Sequence, residues 1–334
     1  METQHNVNLS SVEIANLWTA YMNNSMSVCV LTYFAANTND TEIKSLVEFA
    51  LECSQKNCQE VRAIFEEENY PVPFGFTQHD VNLKAPKLWT DILHINYLDQ
   101  MSKAGFLAFG FCASLAARLD VREYFNRCLI RITEINNRTK NLLLEKGLFL
   151  RPPTIAAPKQ VDFVQKQGFL TGWFGERKPL LAMEIMHLYH NIQTNAIGKA
   201  IIMGFAQVAS SKDVRDFMLR GKEIAVKHIE IFSSLLRDED IPVPTSWDSD
   251  VLDSTLSPFS EKLMLFHVAF LSAAGIGNYG SAISISTRRD IITHYSRLVA
   301  EVGLYTEDGA NLMINHGWLE EPPQAIKRAE LINK

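Results

Sequence analysis

The chain has 334 residues, 47% of them hydrophobic and 21% charged, which suffices for two domains with a buried core each and is too apolar for a disordered chain. Lys+Arg 32 against Asp+Glu 38 leaves a net charge of -6. That excludes the overall basic field on which non-specific nucleic-acid binding depends, and no nucleic-acid partner is expected.

The opening residues, METQHNVNLS, lack the basic and apolar segments of a secretory signal, so a cytoplasmic location is expected. Ser10 followed by Glu13 reads as a capping box that starts a first helix. Its apolar stripe of Ile14, Leu17, Tyr21, Val28 and Leu31 has helical spacing. A second helix opens around Asn39 and Glu42 and closes before Pro71-Val72-Pro73. The segment Val72 to Ala85 can run the length of a bundle when extended, and a third helix is predicted from Pro86. The run read as the longest apolar stretch, Ala104 to Ala117, is shorter than the roughly 20 residues of a membrane span, so no membrane partner is expected. A fourth helix opens at Asp120 and ends at Gly147, a residue that tolerates a left-handed cap.

The same order then repeats. Glu13-Ile14 returns as Glu184-Ile185 and Pro71-Val72-Pro73 as Pro242-Val243-Pro244, both 171 residues later. Asp120, Gly147 and Pro152-Pro153 return as Asp290, Gly317 and Pro322-Pro323, 170 residues later, so one small insertion or deletion lies between. The second copy starts at Pro179, its second helix at Ser210 and Asp213, its third at Ser257-Pro258 and its fourth at Asp290. Strand alternation is absent. The predicted fold is all-α: a tandem duplication of a ferritin-like four-helix bundle, with a long crossover between helices two and three of each copy. Module 1 covers residues 8–153 and module 2 residues 179–323. Residues 154–178 form an ordered linker, which Phe163, Phe169, Trp173 and Phe174 make apolar enough to pack against a module.

Five cysteines, Cys29, Cys53, Cys58, Cys112 and Cys128, lie in helical patterns of module 1 and read as free thiols. Cys53 and Cys58 point to different helix faces and do not make a metal pair. Six of the nine histidines belong to module 2. His228 and His267 lie on apolar stripes, and on the last helix His294 and Glu301 share the stripe of Ile291, Leu298 and Tyr305. Buried polar groups must be hydrogen-bonded, paired or metal-bound. Matching distances from the bundle ends puts His228 level with Glu301 and with Asn191 to Asn195, with His190 a turn away; Glu184 and His187 fall near His294. A metal ion in module 2, iron, manganese or zinc, is the expected ligand of this set. Module 1 carries Asn57, Tyr124 and Arg131 where module 2 has His228, His294 and Glu301, and an arginine there would repel a cation.

The segments LLLEKGLFLRPP (142–153), GFTQHDVN (75–82), STLSPFSEKLMLFH (254–267) and GNYGSAISISTRRD (277–290) resemble an uncharacterised two-repeat ferritin-like family of spore-forming Bacillus-type bacteria, loosely related to spore coat proteins. The resemblance implies a ferritin-like fold and spore association, and it brings no activity. The sequence departs from the di-iron pattern of Glu-x-x-His on helices two and four: its Glu-x-x-His, Glu184 to His187, is on a first helix. Three readings compete: a metal-binding ferritin-like protein, a structural or interaction protein whose buried polar groups fix packing, and a small-ligand binder with a pocket between modules. The thiol reading is checked directly: all five cysteines should titrate as free under denaturing, non-reducing conditions, and a recovered disulfide would remove the argument for a reducing compartment.

Overall fold

The computed structural model describes residues 7–172 and 178–328. Among these are eight α-helices and no β-strand: α1 Ser11–Asn37, α2 Thr41–Glu67, α3 Asp91–Leu115, α4 Leu119–Glu145, α5 Ala182–Val208, α6 Lys212–Arg237, α7 Glu261–Ile285 and α8 Arg289–Asn315. Each has 25 to 27 residues, or about 40 Å at the α-helical rise. α1 packs on α2 and α3 on α4 as antiparallel pairs, and α5 to α8 repeat the arrangement. The long connection falls between the second and third helix of each module, as the spacing of the sequence predicts.

The Ser10 capping box forms, with the Ser10 amide 2.8 Å from the Glu13 carboxylate. Gly147 and Gly317 both sit at φ 68°, and behind them Leu148 and Trp318 donate to the carbonyls of Leu143 and Met313. These are the predicted left-handed helix stops. The exits of α2 and α6 use the same geometry with Asn69 at φ 53° and Asp240 at φ 56°, residues whose short polar side chains tolerate that region. Most predicted starts shift, by as little as one residue at α6, which is capped by Ser211 rather than Ser210, and at α4 and α8, which begin at Leu119 and Arg289. α3 begins at Asp91 after the cap Thr90, not at Pro86; α7 begins after the cap Ser260, not at Ser257-Pro258; α5 begins at Ala182, beyond Pro179; and α2 is capped by Asp40 rather than Asn39.

The physical reason for the two third-helix shifts is tertiary. The chain before α3 and the chain before α7 pair with each other, in isolated antiparallel bridges Val81 to Phe259 and Trp89 to Val251. The pairing is two-fold symmetric under the repeat. The Thr90 hydroxyl donates to Asp250 at 2.5 Å, and the Ser260 hydroxyl donates to Asp80 at 2.7 Å. The Leu252 amide donates to the Leu88 carbonyl, and the Asn82 amide to the Pro258 carbonyl. Each crossover therefore helps to cap the third helix of the other module.

Around this axis the modules share one continuous core that contains Tyr33, Phe34, Trp89 and Tyr97 of the first and Phe205, Phe259 and Leu263 of the second. Trp89 lies against Gly204 of α5, where an added Cβ would come within 2.7 Å of the indole. At the symmetry-related place both partners carry rings, and Tyr33 of α1 meets Phe259 with ring centroids 5.3 Å apart. Tyr97 and His267, equivalent positions 170 residues apart, meet each other, with the Tyr97 hydroxyl 3.0 Å from His267 Nε2.

α3 and α7 are apolar around much of their circumference, as α1 and α5 are, yet their C-terminal halves lie near the surface. Leu107, Phe111 and Leu115 of α3 are exposed. By length and composition alone, α7 is the one described helix long and apolar enough to cross a membrane. In the linker Phe163 is 85% exposed, whereas Phe169 lies under the Lys178 ammonium at 4.0 Å and Gly172 abuts Asp290. Trp173 and Phe174 fall outside the described residues.

Two outcomes follow from this packing. Trp89→Ala should cost about 3 to 5 kcal/mol of unfolding free energy, the range for emptying a large aromatic site. Because the core is continuous, urea denaturation followed by circular dichroism should still show one transition; two separate transitions would contradict the shared core. The second outcome concerns pH. Burial pushes the imidazoles of His94 and His267 down to about 3, from an ordinary value of 6.5. The unfolded chain thus takes up protons that the native state refuses, so stability is full above pH 6.5 and falls on acidification through the window from 6.5 towards 3. The urea midpoint should drop between pH 6.5 and 4.5, and a His267→Phe variant should show a shallower slope.

Candidate functional site

Glu184 opens α5, is fully buried, and its carboxylate is saturated: it accepts from the Leu181 amide at 2.9 Å and from the Thr287 and Arg288 amides at 3.0 and 3.1 Å, with Lys178 at 3.6 Å. Burial pulls this carboxyl up, but the three amides and Lys178 outweigh it and hold it below the ordinary carboxylate range. Glu13 does the same work in module 1, bridging Ser10 to the Ala117 and Arg118 amides of the α3–α4 turn. The repeated Glu-Ile pair is thus a joint between the first helix and the third-to-fourth turn. That joint is closed beside it by Arg288 with Asp290 and Glu239, and in module 1 by Arg118 with Asp120 and Glu68.

The structure does bring His228 and Glu301 together, as level-matching along the helices predicts. His228 is fully buried, and its Nε2 lies 3.1 Å from the Glu301 carboxylate. Its Nδ1 lies 2.9 Å from the Tyr279 hydroxyl. The Asn195 amide donates to that hydroxyl at 2.8 Å, and the Asn191 amide donates to the Tyr295 hydroxyl at 3.1 Å. Since the Tyr279 oxygen accepts a hydrogen bond from Asn195, its own O–H donates to Nδ1, which leaves Nε2–H to donate to Glu301. Lys227 closes the chain at the surface by pairing with Glu301. Burial lowers the His228 pKa while Glu301 opposes that shift; for Glu301, burial raises the pKa, but Lys227 and His228 together hold it below the usual value. A neutral imidazole between a phenol and a carboxylate is the electrostatically consistent state.

Module 1 inverts the charge of this arrangement. Arg131 donates to Asn57 Oδ1 at 2.7 Å and pairs with Glu60, and Asn57 in turn donates to Asn24 at 3.0 Å. The residues matched to His228 and Glu301 are therefore in contact in both modules, with a cation in one and an anion in the other.

The remaining candidates are dispersed. His190 is partly buried at a cleft of about 390 Å³ between the modules, which Asp99, Lys103 and Met186 also line. Burial pushes its pKa down to about 4, helped by Lys103 and His187 and opposed by Asp99. His187 is partly buried, and its pKa is lowered by burial. His267 is engaged with Tyr97 at the two-fold axis. His294 is partly buried on α8. Among the described residues no three His, Cys, Asp or Glu side chains gather closely enough to hold a metal ion. Sequence reasoning placed Asn191 and Asn195 on an inward stripe but missed Tyr279 and Lys227, although Tyr279 is a polar aromatic residue in the otherwise small and apolar GNYGSA segment.

A comparison with curated proteins finds no match. Among solved structures, a Bacillus halodurans protein provisionally called a spore coat protein aligns at 17% identity and a TM-score of 0.41, over 45% of this chain and 98% of its own. A family model described as "Protein of unknown function (DUF3231)" matches twice, over residues 1–161 and 168–331, one match for each module. The chain belongs to the DUF3231 family and carries two copies of its unit.

Proposed function

We propose that the protein is a structural and interaction protein, spore-associated as the family resemblance implies, in which the polar interior of module 2 fixes packing. The observation that supports this most is the engagement of both His228 nitrogens, one by Tyr279 and one by Glu301. Glu184 is consumed by three backbone amides in the same way. The exposed row of Leu107, Phe111 and Leu115 on α3 supplies an apolar contact face of the kind that interaction proteins present.

A metal-binding reading has one observation in its favour: an imidazole and a carboxylate already converge at 3.1 Å, and iron, manganese or zinc would have to displace Lys227 and reach a third donor. One experiment separates the two. Protein purified without chelator and supplied with each metal in turn should hold no more metal than its Glu301→Ala variant, while His228→Ala should lose about 1 to 3 kcal/mol of stability because the buried Tyr279 hydroxyl loses its acceptor and Glu301 one of its donors. Retention of about one or two ions per chain, lost in both variants, would replace the structural reading with the metal one.

A further inference from the structure

The duplication supplies an internal control for the interior of module 1. In module 2 the space between the helices is filled by Tyr279, Tyr305, Leu298 and Asn191, all buried. Tyr305 reaches so far across that an added Cβ on Gly221 would meet its hydroxyl at 2.1 Å. The matched residues of module 1 are Phe109, Ile135, Cys128 and Ala20. Each is smaller or lacks the hydroxyl, and Gly221 is matched by Ala50. The outcome is a cavity of about 150 Å³ that all five of these residues line, together with Leu98 and Ile132.

We propose that this cavity is a binding site for a compact, neutral, largely apolar small molecule with one hydrogen-bond acceptor. The volume matches what an apolar protein cavity needs to hold a single benzene-sized molecule. The walls are mainly aliphatic, aromatic and thiol groups, interrupted by small hydroxyls such as Ser102 and by Asn24 and Asn57, whose amides hydrogen-bond to each other, and the one charged group that lines the cavity, Arg131, is already neutralised by Glu60, so an ionic ligand finds no counter-charge. The mouth lies between α1 and α3, where partly buried Asn16 and Asn23 and exposed Thr19 of the one and Gly105 and exposed Ala108 of the other line the cavity. The Asn16 side-chain nitrogen is buried and has no hydrogen-bond partner among the described residues. It is the donor for the acceptor of the ligand. Module 2 has His187 at that position, and there the buried ring of Tyr279 stands where module 1 has Phe109. The site is independent of the structural role proposed for the polar interior of module 2.

The test is calorimetric titration of the full chain with benzyl alcohol, toluene and benzoate. Wild-type protein should bind benzyl alcohol and toluene saturably, benzyl alcohol more tightly, and benzoate at least about tenfold more weakly. Cys128→Leu installs the residue that packs at the matched position 298 and should abolish saturable binding. Ala108→Trp closes the mouth from its exposed side without touching the core and should also weaken binding, which keeps the test decisive if the first variant does not fold. Asn16→Leu should bring benzyl alcohol and toluene to equal affinity. The proposal fails if wild-type protein binds neither neutral probe saturably, if benzoate binds as well as they do, or if Ala108→Trp binds them unchanged.

Discussion

The reciprocal pairing of the two crossover segments is the constraint on which the rest of the molecule depends. A helix of 27 residues needs a connection that runs back along its whole length, and such a segment has backbone groups with no helical partner. Here those groups find one another. Asp80 and Asp250 each receive the capping hydroxyl of the other module's third helix, so neither module completes its own α3 or α7 start alone. The arrangement is that of a two-fold dimer interface, in which residue i meets j and the equivalent of j meets the equivalent of i, fused into one chain.

Fusion releases the two halves from identity, and the interface shows it. Trp89 against Gly204 on one side answers Phe259 against Tyr33 on the other, a single indole laid on bare backbone in one place and two rings edge to face in the other. Tyr97 and His267 illustrate a polar version: a buried imidazole costs less when its symmetry mate is a phenol that can hydrogen-bond to it than when it is a second imidazole competing for the same proton.

The interiors have diverged further than the interface. Module 2 is threaded by a hydrogen-bonded line from Asn195 through Tyr279 and His228 to Glu301 and out to Lys227. Module 1 keeps the contact between α2 and α4 as Asn57 with Arg131 but lacks the phenols, and its core is partly hollow. Both modules retain the carboxylate that ties the first helix to the third turn, Glu13 and Glu184, because in each module three N–H groups at a helix start and a tight turn would otherwise be unpaired there.

Periodicity, caps and the internal repeat are local properties, so the sequence by itself determined the eight helices, their left-handed stops at Gly147 and Gly317, the duplication and the long second connection. It also determined that residues 228 and 301 are neighbours, since helix rise and short turns set the level of each side chain along a bundle. Which partners those side chains take was decided only by the tertiary structure. Glu184 looks the same in sequence whether it binds a metal or three amides, because the amides of Thr287 and Arg288 arrive from a turn about a hundred residues away. The starts of α3 and α7 moved for the same reason: Pro86 and Pro258 permit a helix, but the opposing crossover captures the residues that follow them, and non-local pairing overrides local propensity where it satisfies backbone groups the helix would leave open.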